Sequence, residues 1–575
     1  MLKLFRFMKP YRIAVLFTLV LVFLQTLSDL YLPTLMADIV DKGVVSGDTP
    51  YIWQIGGLML LIAALGGVCS VGASYLSAKS AGAFGKDLRS RVFAHVEQFS
   101  LHEFDKVGTA SLITRTTNDI TQVQMVLTML MRVMVMAPLM CIGGIIMAMS
   151  KDVKLSFVII AVVPVLALII LAVVSRSIPL FKSMQVKIDK LNLVLRESLT
   201  GVRVIRSFNR TTHEQQRFNE ANLDLTDTSI KVNRLMAGLM PTMMLVMNIA
   251  SIAIIWFGGK RIEAQGIEVG DLIAFIQYAW QIMFALIFAS MMFVMVPRAQ
   301  ASAVRINEVL DMKPEILDAE VTKRAASHAN SVAFDNVSFY YPGAEIPALS
   351  GLSFTAKPGE ITAIIGGTGS GKSTLINLIP RFYDASEGSV RIGGIDVREM
   401  TQEELRDRIG LVPQKALLFT GTIEDNIRFG KEDATDEEVR HAASVAQAAD
   451  FIAEMPEGYQ AVIAQGGTNV SGGQKQRLSI ARALVRKPAI YLFDDSFSAL
   501  DFKTDAKLRA ALKTETAEAT LLIVAQRVST VMDADQIIVL DEGVITAIGT
   551  HKELLESSGI YREIVLSQLS EEEIA

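Results

Sequence analysis

The sequence predicts a multi-domain chain: an all-α polytopic membrane domain followed by an α/β domain. Three observations predict it. Apolar residues make up 51% of 575 and mean hydropathy is +0.38, yet the long apolar runs stop near Leu310. Six windows before that point are long enough to cross ~30 Å of hydrocarbon, which takes about 20 residues each. After it, an apolar strand runs into GGTGSGKST and then a helical stretch, the strand–loop–helix context of GxxxxGK[ST].

Composition narrows the function classes. The chain is too long for one domain. A formal net charge of -5 gives no case for nucleic acid. Cys69 and Cys141 lie in apolar surroundings and read as buried small hydrophobes, with no disulfide framework or metal motif. The basic start MLKLFRFMKPYR leads into an apolar run longer than a signal-peptide core, with no small-residue cleavage site at the expected distance. It reads as a retained first span.

The six spans are expected over Ile13–Met36, Trp53–Ala78, Val126–Ser150, Leu155–Ser175, Met236–Phe257 and Leu272–Val296. Each must be helical, because lipid leaves no partner for a free backbone polar group. The links at 79–125 and 176–235 are long and keep helical patterning. They carry Lys86, Arg89, Arg115, Lys187, Arg196, Arg203 and Arg217, among other cations. The positive-inside tendency puts both on the cytoplasmic side with the N-terminus. The short links Ala37–Ile52, Lys151–Lys154 and Gly258–Asp271 then face outward, and both termini are cytoplasmic. Charged and amide side chains inside spans are costly, which marks Asp29, Arg132, Asn248, Gln277 and Gln281. Gln277 and Gln281 are one turn apart and would line a cavity, with Arg132 a third pathway candidate or a group near a membrane surface. The spans are dense in Met, which leans toward a polyspecific apolar pathway over plain packing.

Domain boundaries follow: a membrane domain over 1–310, a linker over 311–330 and the α/β domain over 331–575. In Gly366-Gly367-Thr368-Gly369-Ser370-Gly371-Lys372-Ser373-Thr374 the glycines let backbone N–H groups wrap phosphates, and the following helix N-terminus favours the anion. Lys372 would reach the β- and γ-phosphates of ATP, and the Ser373 hydroxyl would ligate Mg²⁺.

Downstream motifs carry a family resemblance. Val470-Ser471-Gly472-Gly473-Gln474 resembles the signature of ATP-binding cassette (ABC) ATPases. Ala489–Asp494 resembles their Walker B strand, Ser498-Ala499-Leu500-Asp501 their D-loop and Gln414 their Q-loop glutamine. The long cytoplasmic links resemble those of exporter-type ABC proteins, whose short coupling helices touch the ATPase domains. Gly108–Asp119 and Arg206–Arg210 resemble the two intracellular loops. The resemblance covers the whole chain and implies site roles. Tyr341, with Tyr340 as second choice, would stack on adenine. Gln414 and Asp494 would join Ser373 at Mg²⁺. Ser471, Gly472, Gly473 and Gln474 would grip the ATP of another subunit.

Two positions depart from the pattern. Asp495 stands where the family has the Glu that polarises the attacking water, and Gln526 stands at the switch His. Gln465 also replaces an acidic residue common before the signature. Asp is one methylene shorter than Glu, and Gln carries no proton. The phosphate cradle and the signature are intact. The expectation is therefore one half of a heterodimeric multidrug-type exporter in a bacterial inner membrane. It would bind ATP tightly and turn it over slowly, while its signature completes the partner's competent site. The cargo would be a small amphipathic compound or a membrane lipid. The alternatives are a homodimer, a dedicated lipid, peptide or siderophore exporter, and an ATP-gated regulator that transports nothing.

Overall fold

The structure is a computed structural model that describes residues 1–319, 322–323 and 330–569. The chain divides into two units, Met1–Glu97 with Thr109–Lys313, and Gln98–Gly108 with Pro314–Ala575. Residues 320–321 and 324–329 of the expected linker lie outside the described residues.

The first unit is built on six helices long and apolar enough to cross a membrane. They are Arg12–Asp38, Thr49–Val96, Ile120–Lys151, Val153–Thr200, Thr211–Glu263 and Val269–Asp311. The second and fourth have 48 residues each and the fifth has 53. At 1.5 Å per residue that is about 70–80 Å, over twice a ~30 Å hydrocarbon layer. The extra length lies in the two links read as long and helical. Pro33, Pro138, Pro164 and Pro241 all sit inside continuous helices.

At one end of these helices the links are shorter than expected. The first helix continues as a π-turn over Ile39–Val44. Asp48 then accepts the Tyr51 N–H at 3.1 Å and starts the second helix. Between the third and fourth helices only Asp152 leaves helical geometry. It accepts the Leu155 N–H at 2.7 Å and Arg261 Nη2 at 2.5 Å. Nearby, Lys151 pairs with Asp271 at 2.9 Å. Further along the helices, Asp119 accepts from Ser302 Oγ and Arg305 Nε, both at 2.8 Å, and from Arg305 Nη2. Between these ties the core is apolar, with Leu30, Met140, Ile159, Met243, Tyr278 and Ile282 all buried. A Cβ on Gly143 would stand 2.4 Å from Leu30 Cδ1, so the first and third spans pack through that glycine. The methionines divide between packing and surface: Met131, Met140, Met243, Met247 and Met283 are buried, while Met134 and Met244 are exposed.

Gly108–Asp119, the stretch that resembles the first intracellular loop, is helical from Thr109, in keeping with the helical patterning expected of the 79–125 link. Gly108 has φ +79° and ends a short helix over Leu101–Val107. From Thr109 the chain is already the base of the third span, with one π-turn at Arg115–Asp119. The short helix, opened by a Ser100/Glu103 capping box, clusters with the second unit. There Glu103 accepts the Glu315 N–H at 3.2 Å and Asp105 accepts the Tyr383 hydroxyl at 3.4 Å. The second short helix, Val202–Ser207, belongs to the first unit and is followed by Phe208, 75% exposed.

The second unit carries strands β1 (Val332–Phe339), β2 (Leu349–Ala356), β3 (Ile361–Ile365), β4 (Glu387–Ile392), β5 (Ile395–Asp396) and β6 (Ile409–Val412). They are followed by β7 (Gly421–Thr422), β8 (Val462–Ile463), β9 (Ile490–Asp494), β10 (Thr520–Val524), β11 (Gln536–Asp541) and β12 (Val544–Gly549). The main sheet has the order β12-β11-β3-β10-β9-β6, and a second sheet has the order β2-β1-β4-β5. β3, β6, β9, β10 and β11 run parallel, and β12 is antiparallel to β11. The apolar runs of β9 and β10 are buried at every position, as expected of strands covered on both faces.

Asp119→Ala removes three hydrogen bonds to a buried carboxylate, two of them from a cation. The expected cost is about 2–3 kcal/mol, read as a lower thermal midpoint in detergent. An unchanged midpoint would mean that this tie contributes nothing.

Candidate nucleotide site

β3 ends at Ile365, and the chain turns through residues 366–371 into the helix Lys372–Leu378. A Cβ at Gly366 would stand 2.0 Å from the Leu540 carbonyl oxygen, so only glycine fits. Gly371 caps the helix with φ +96°. Gly367, Thr368 and Gly369 are exposed and Ser370 is buried. Lys372 folds over its own loop, donating to the carbonyls of Gly366 at 2.9 Å and Gly367 at 2.6 Å. Burial lowers its pKa, against the pull of Asp495 and Asp494. The loop thus has a glycine-only contour and an ammonium at its rim, the donor set that fits a polyphosphate.

Ser373 Oγ donates to Asp494 Oδ1 at 3.0 Å. One hydroxyl and one carboxylate beside a phosphate cradle suit a hard divalent cation that keeps several waters. Burial raises the Asp494 pKa; the Ser373 hydrogen bond lowers it and the Asp495 charge raises it further. The Tyr341 hydroxyl lies 2.9 Å from Thr374 Oγ1, and its ring stands edge-on to Tyr383, with centroids 5.7 Å apart. Tyr341 is 39% exposed, which leaves part of the ring free for a flat ligand; Tyr340 has the same exposure. Tyr383 is held up at about 12, chiefly by burial.

Parallel pairing sets Val524 beside Asp494 and beside Ile364. Asp494, Asp495 and Gln526 therefore come to the end of the sheet where the phosphate loop begins. Asp495 has φ +47° and donates its N–H to the Val524 carbonyl at 3.0 Å. Its side chain is buried, and burial raises its pKa against hydrogen bonds from Gln414 and Ser498. One oxygen, Oδ2, accepts from two amides: Gln526 Nε2 at 3.0 Å and Gln414 Nε2 at 3.3 Å. The three residues singled out for catalysis thus converge on a single atom.

The D-loop is tied to the same turn. Ser498 Oγ donates to the Asp495 carbonyl at 2.9 Å, and Asp501 caps the next helix by accepting the Thr504 N–H at 2.9 Å. Arg527 donates to the carbonyls of Ser498 at 2.9 Å and Leu500 at 3.3 Å. Gln568 brackets the switch segment, donating to the Gln526 carbonyl and accepting the Val528 N–H, both at 2.8 Å. Sequence reading missed Arg527 and Gln568. Arg527 had a signal in its place beside Gln526, and Gln568 had none.

Ser471 N-caps the helix Gly472–Val485, accepting the Gln474 N–H at 3.3 Å while Gln474 Oε1 accepts the Ser471 N–H at 2.8 Å. Gln474 thus serves the cap, and Ser471 and Gly472 are exposed. Among the described residues no hydrogen bond joins 471–474 to the phosphate loop. In the membrane unit, Gln281 Nε2 donates to the Asp29 carbonyl at 3.0 Å, while its buried Oε1 has no partner. Arg132 and Gln277 are half-buried.

Six spans and one such nucleotide domain in a single chain define a half-size, exporter-type ATPase. Residues 15–286 match the family model of the ABC transporter transmembrane region, and residues 349–498 match the ABC transporter model. The chain belongs to the ABC transporter family. It is 44% identical over 564 residues to an uncharacterized ABC transporter ATP-binding protein of Mycobacterium tuberculosis, covering 97% of each chain. It is 31% identical over 558 residues to an ATP-dependent lipid A-core flippase of Desulfotalea psychrophila, covering 96% of each. Among solved structures it is similar to a bacterial Atm1-family ABC exporter with ATP bound, with TM-score 0.81, 28% identity, and coverage of 97% of this chain and 99% of that one. The protein is a multi-pass membrane ATPase that couples ATP hydrolysis to export, and its half-size architecture pairs with itself or with another half-transporter.

Lys372→Ala should weaken ATP binding by about 10–100-fold, the size of a lost charged hydrogen bond, with melting unchanged; unaltered affinity would remove Lys372 from the site. The raised Asp494 pKa sets a second expectation. The ionised carboxylate is the cation-binding form, so Mg²⁺-supported ATP binding should weaken as pH falls. The loss should begin above the ordinary Asp value of about 3.9, and Asp494→Asn should reduce this pH dependence in an equilibrium titration, leaving what Asp495 and the nucleotide itself contribute.

Proposed function

We propose that the chain is the slow-turnover half of an asymmetric exporter. The observation that carries this is the Asp495 carboxylate, whose Oδ2 already accepts from both Gln414 and Gln526. A general base must reach its water at ~2.6–3.2 Å. Asp495 is a methylene short of the Glu reach, and one of its two oxygens, Oδ2, is held by two donors. Gln526 donates a hydrogen bond but shuttles no proton. The cradle of Gly366–Thr374 and the Lys372 ammonium would still hold ATP, with Tyr341 against the base. Bound Mg²⁺, held by Ser373 and Asp494, would neutralise phosphate charge.

The helix N-terminus at Ser471–Gly473, with Ser471 and Gly472 exposed, would face the ATP of a second subunit and add its dipole to that site. That subunit would supply the competent Glu and His. ATP-driven closure of the two ATPase domains would pass through the short helices Leu101–Val107 and Val202–Ser207 to the spans. The cation-rich long links favour cytoplasmic termini, and the membrane would be a bacterial inner membrane. The cargo would be an amphipathic compound, for which the many methionines suit varied apolar shapes. A dedicated lipid exporter is the second reading, favoured by the likeness to a lipid A-core flippase.

Purified alone, the chain should show little ATPase activity, and robust turnover would sink the asymmetric reading. In complex with its partner, Asp495→Glu should raise hydrolysis at this chain's site by about tenfold or more, within the range of general-base effects. Ser471→Ala should damage turnover of the complex more than Asp495→Asn does; equal damage would contradict the division of labour.

A further inference from the structure

The fourth and fifth spans leave a groove between them of about 820 Å³. Its walls are almost wholly apolar, with Phe157, Val165, Ile249 and Phe257 in the lining. All four are about half exposed or more. Three cations, Lys154, Lys260 and Arg261, line one end, and no acidic residue lines it. Arg261 is committed to Asp152 at 2.5 Å. Among the described residues Lys154 and Lys260 have no carboxylate partner, and Lys260 Nζ sits 5.3 Å from the Trp256 ring centroid. A second apolar cavity of this unit, about 430 Å³ between the third and sixth spans, has no charged residue in its lining.

The dimensions fit one leaflet. From Lys154 to Val165 along the fourth helix is eleven residues, about 16 Å at 1.5 Å each, and half of a ~30 Å hydrocarbon layer is about 15 Å. The cations then stand at headgroup level, where lysine and tryptophan are favoured. We propose that this groove binds one anionic phospholipid from the leaflet on the side of the Lys151–Lys154 turn. Its acyl chain lies along Phe157, Val165 and Ile249, and its phosphate sits between Lys154 and Lys260. A zwitterionic lipid brings its own cation to the same place and gains less. The groove does not depend on the slow-turnover reading of the nucleotide site.

The test uses intrinsic fluorescence. The chain has three tryptophans, so Trp53→Phe with Trp280→Phe leaves Trp256 as the reporter beside the groove. The full chain, assembled with the subunit it pairs with (mutated so that it has no tryptophan), is reconstituted with brominated phosphatidylglycerol or brominated phosphatidylcholine. Phosphatidylglycerol should quench Trp256 at a several-fold lower mole fraction. Lys154→Gln with Lys260→Gln should bring the two curves together, with ATP binding retained as the check on folding. Equal quenching by both lipids in the unsubstituted lysine background would overturn the proposal. So would a preference that survives the double lysine substitution. Quenching by neither lipid would show that the second subunit covers the groove, which also overturns it.

Discussion

The parallel pairing of β3, β10 and β9 is the constraint on which the nucleotide site depends. In that register Val524 stands beside both Ile364 and Asp494. Three strands that end at residues 365, 494 and 524 therefore finish at one edge, where an open α/β sheet places its ligands. The phosphate loop leaves β3 there, the acidic pair leaves β9 and the switch segment leaves β10. A one-residue slip of β10 would separate Gln526 from Asp495 and release Arg527 from the D-loop carbonyls. Because β9 and β10 are buried throughout, such a slip would also disrupt the core.

Within that frame the character of the site is decided at one oxygen. Asp495 Oδ2 is where the Q-loop amide and the switch amide meet. The acceptor is short, its backbone sits at φ +47° and its burial disfavours the charge. The parts that hold phosphate are untouched by this arrangement: Gly366 still has no room for a side chain and Lys372 still lies over the loop. On the proposed reading, binding and cleavage are separable in this chain, since they would rest on different atoms. The signature helix is intact, and its capping Ser471 and first residue Gly472 are exposed, away from the atoms of this chain's own site.

Much of this was legible in the sequence. The phosphate loop, the acidic pair and the six spans follow from local pattern, because each lies in a contiguous run with its own periodicity or motif. The two altered positions, Asp495 and Gln526, were visible against a family pattern. That they share an oxygen with Gln414 was not, since sequence carries no distance between residues 414, 495 and 526. The exact turn in the first long link was hidden for a related reason. Helical patterning runs through the whole link, and the one break, at Gly108, is made by a positive φ that patterning does not mark. The short first and second outward links were overestimated because Asp48 and Asp152 cap the following helices almost at once. The fifth helix, 53 residues long, exceeds its apolar window because the helical patterning of the preceding link runs on into the span without a break. Nothing in the sequence marks the groove with Lys154 and Lys260 at its end, since those lysines are over a hundred residues apart.

The central claim is that this chain's own site holds ATP without cleaving it quickly. The direct measurement is a single-turnover acid quench of the two-subunit complex loaded with radiolabelled ATP at both sites. The account predicts one fast-cleaved nucleotide and one that remains intact and bound to this chain over the same interval. Cleavage of both nucleotides at one common rate would contradict it.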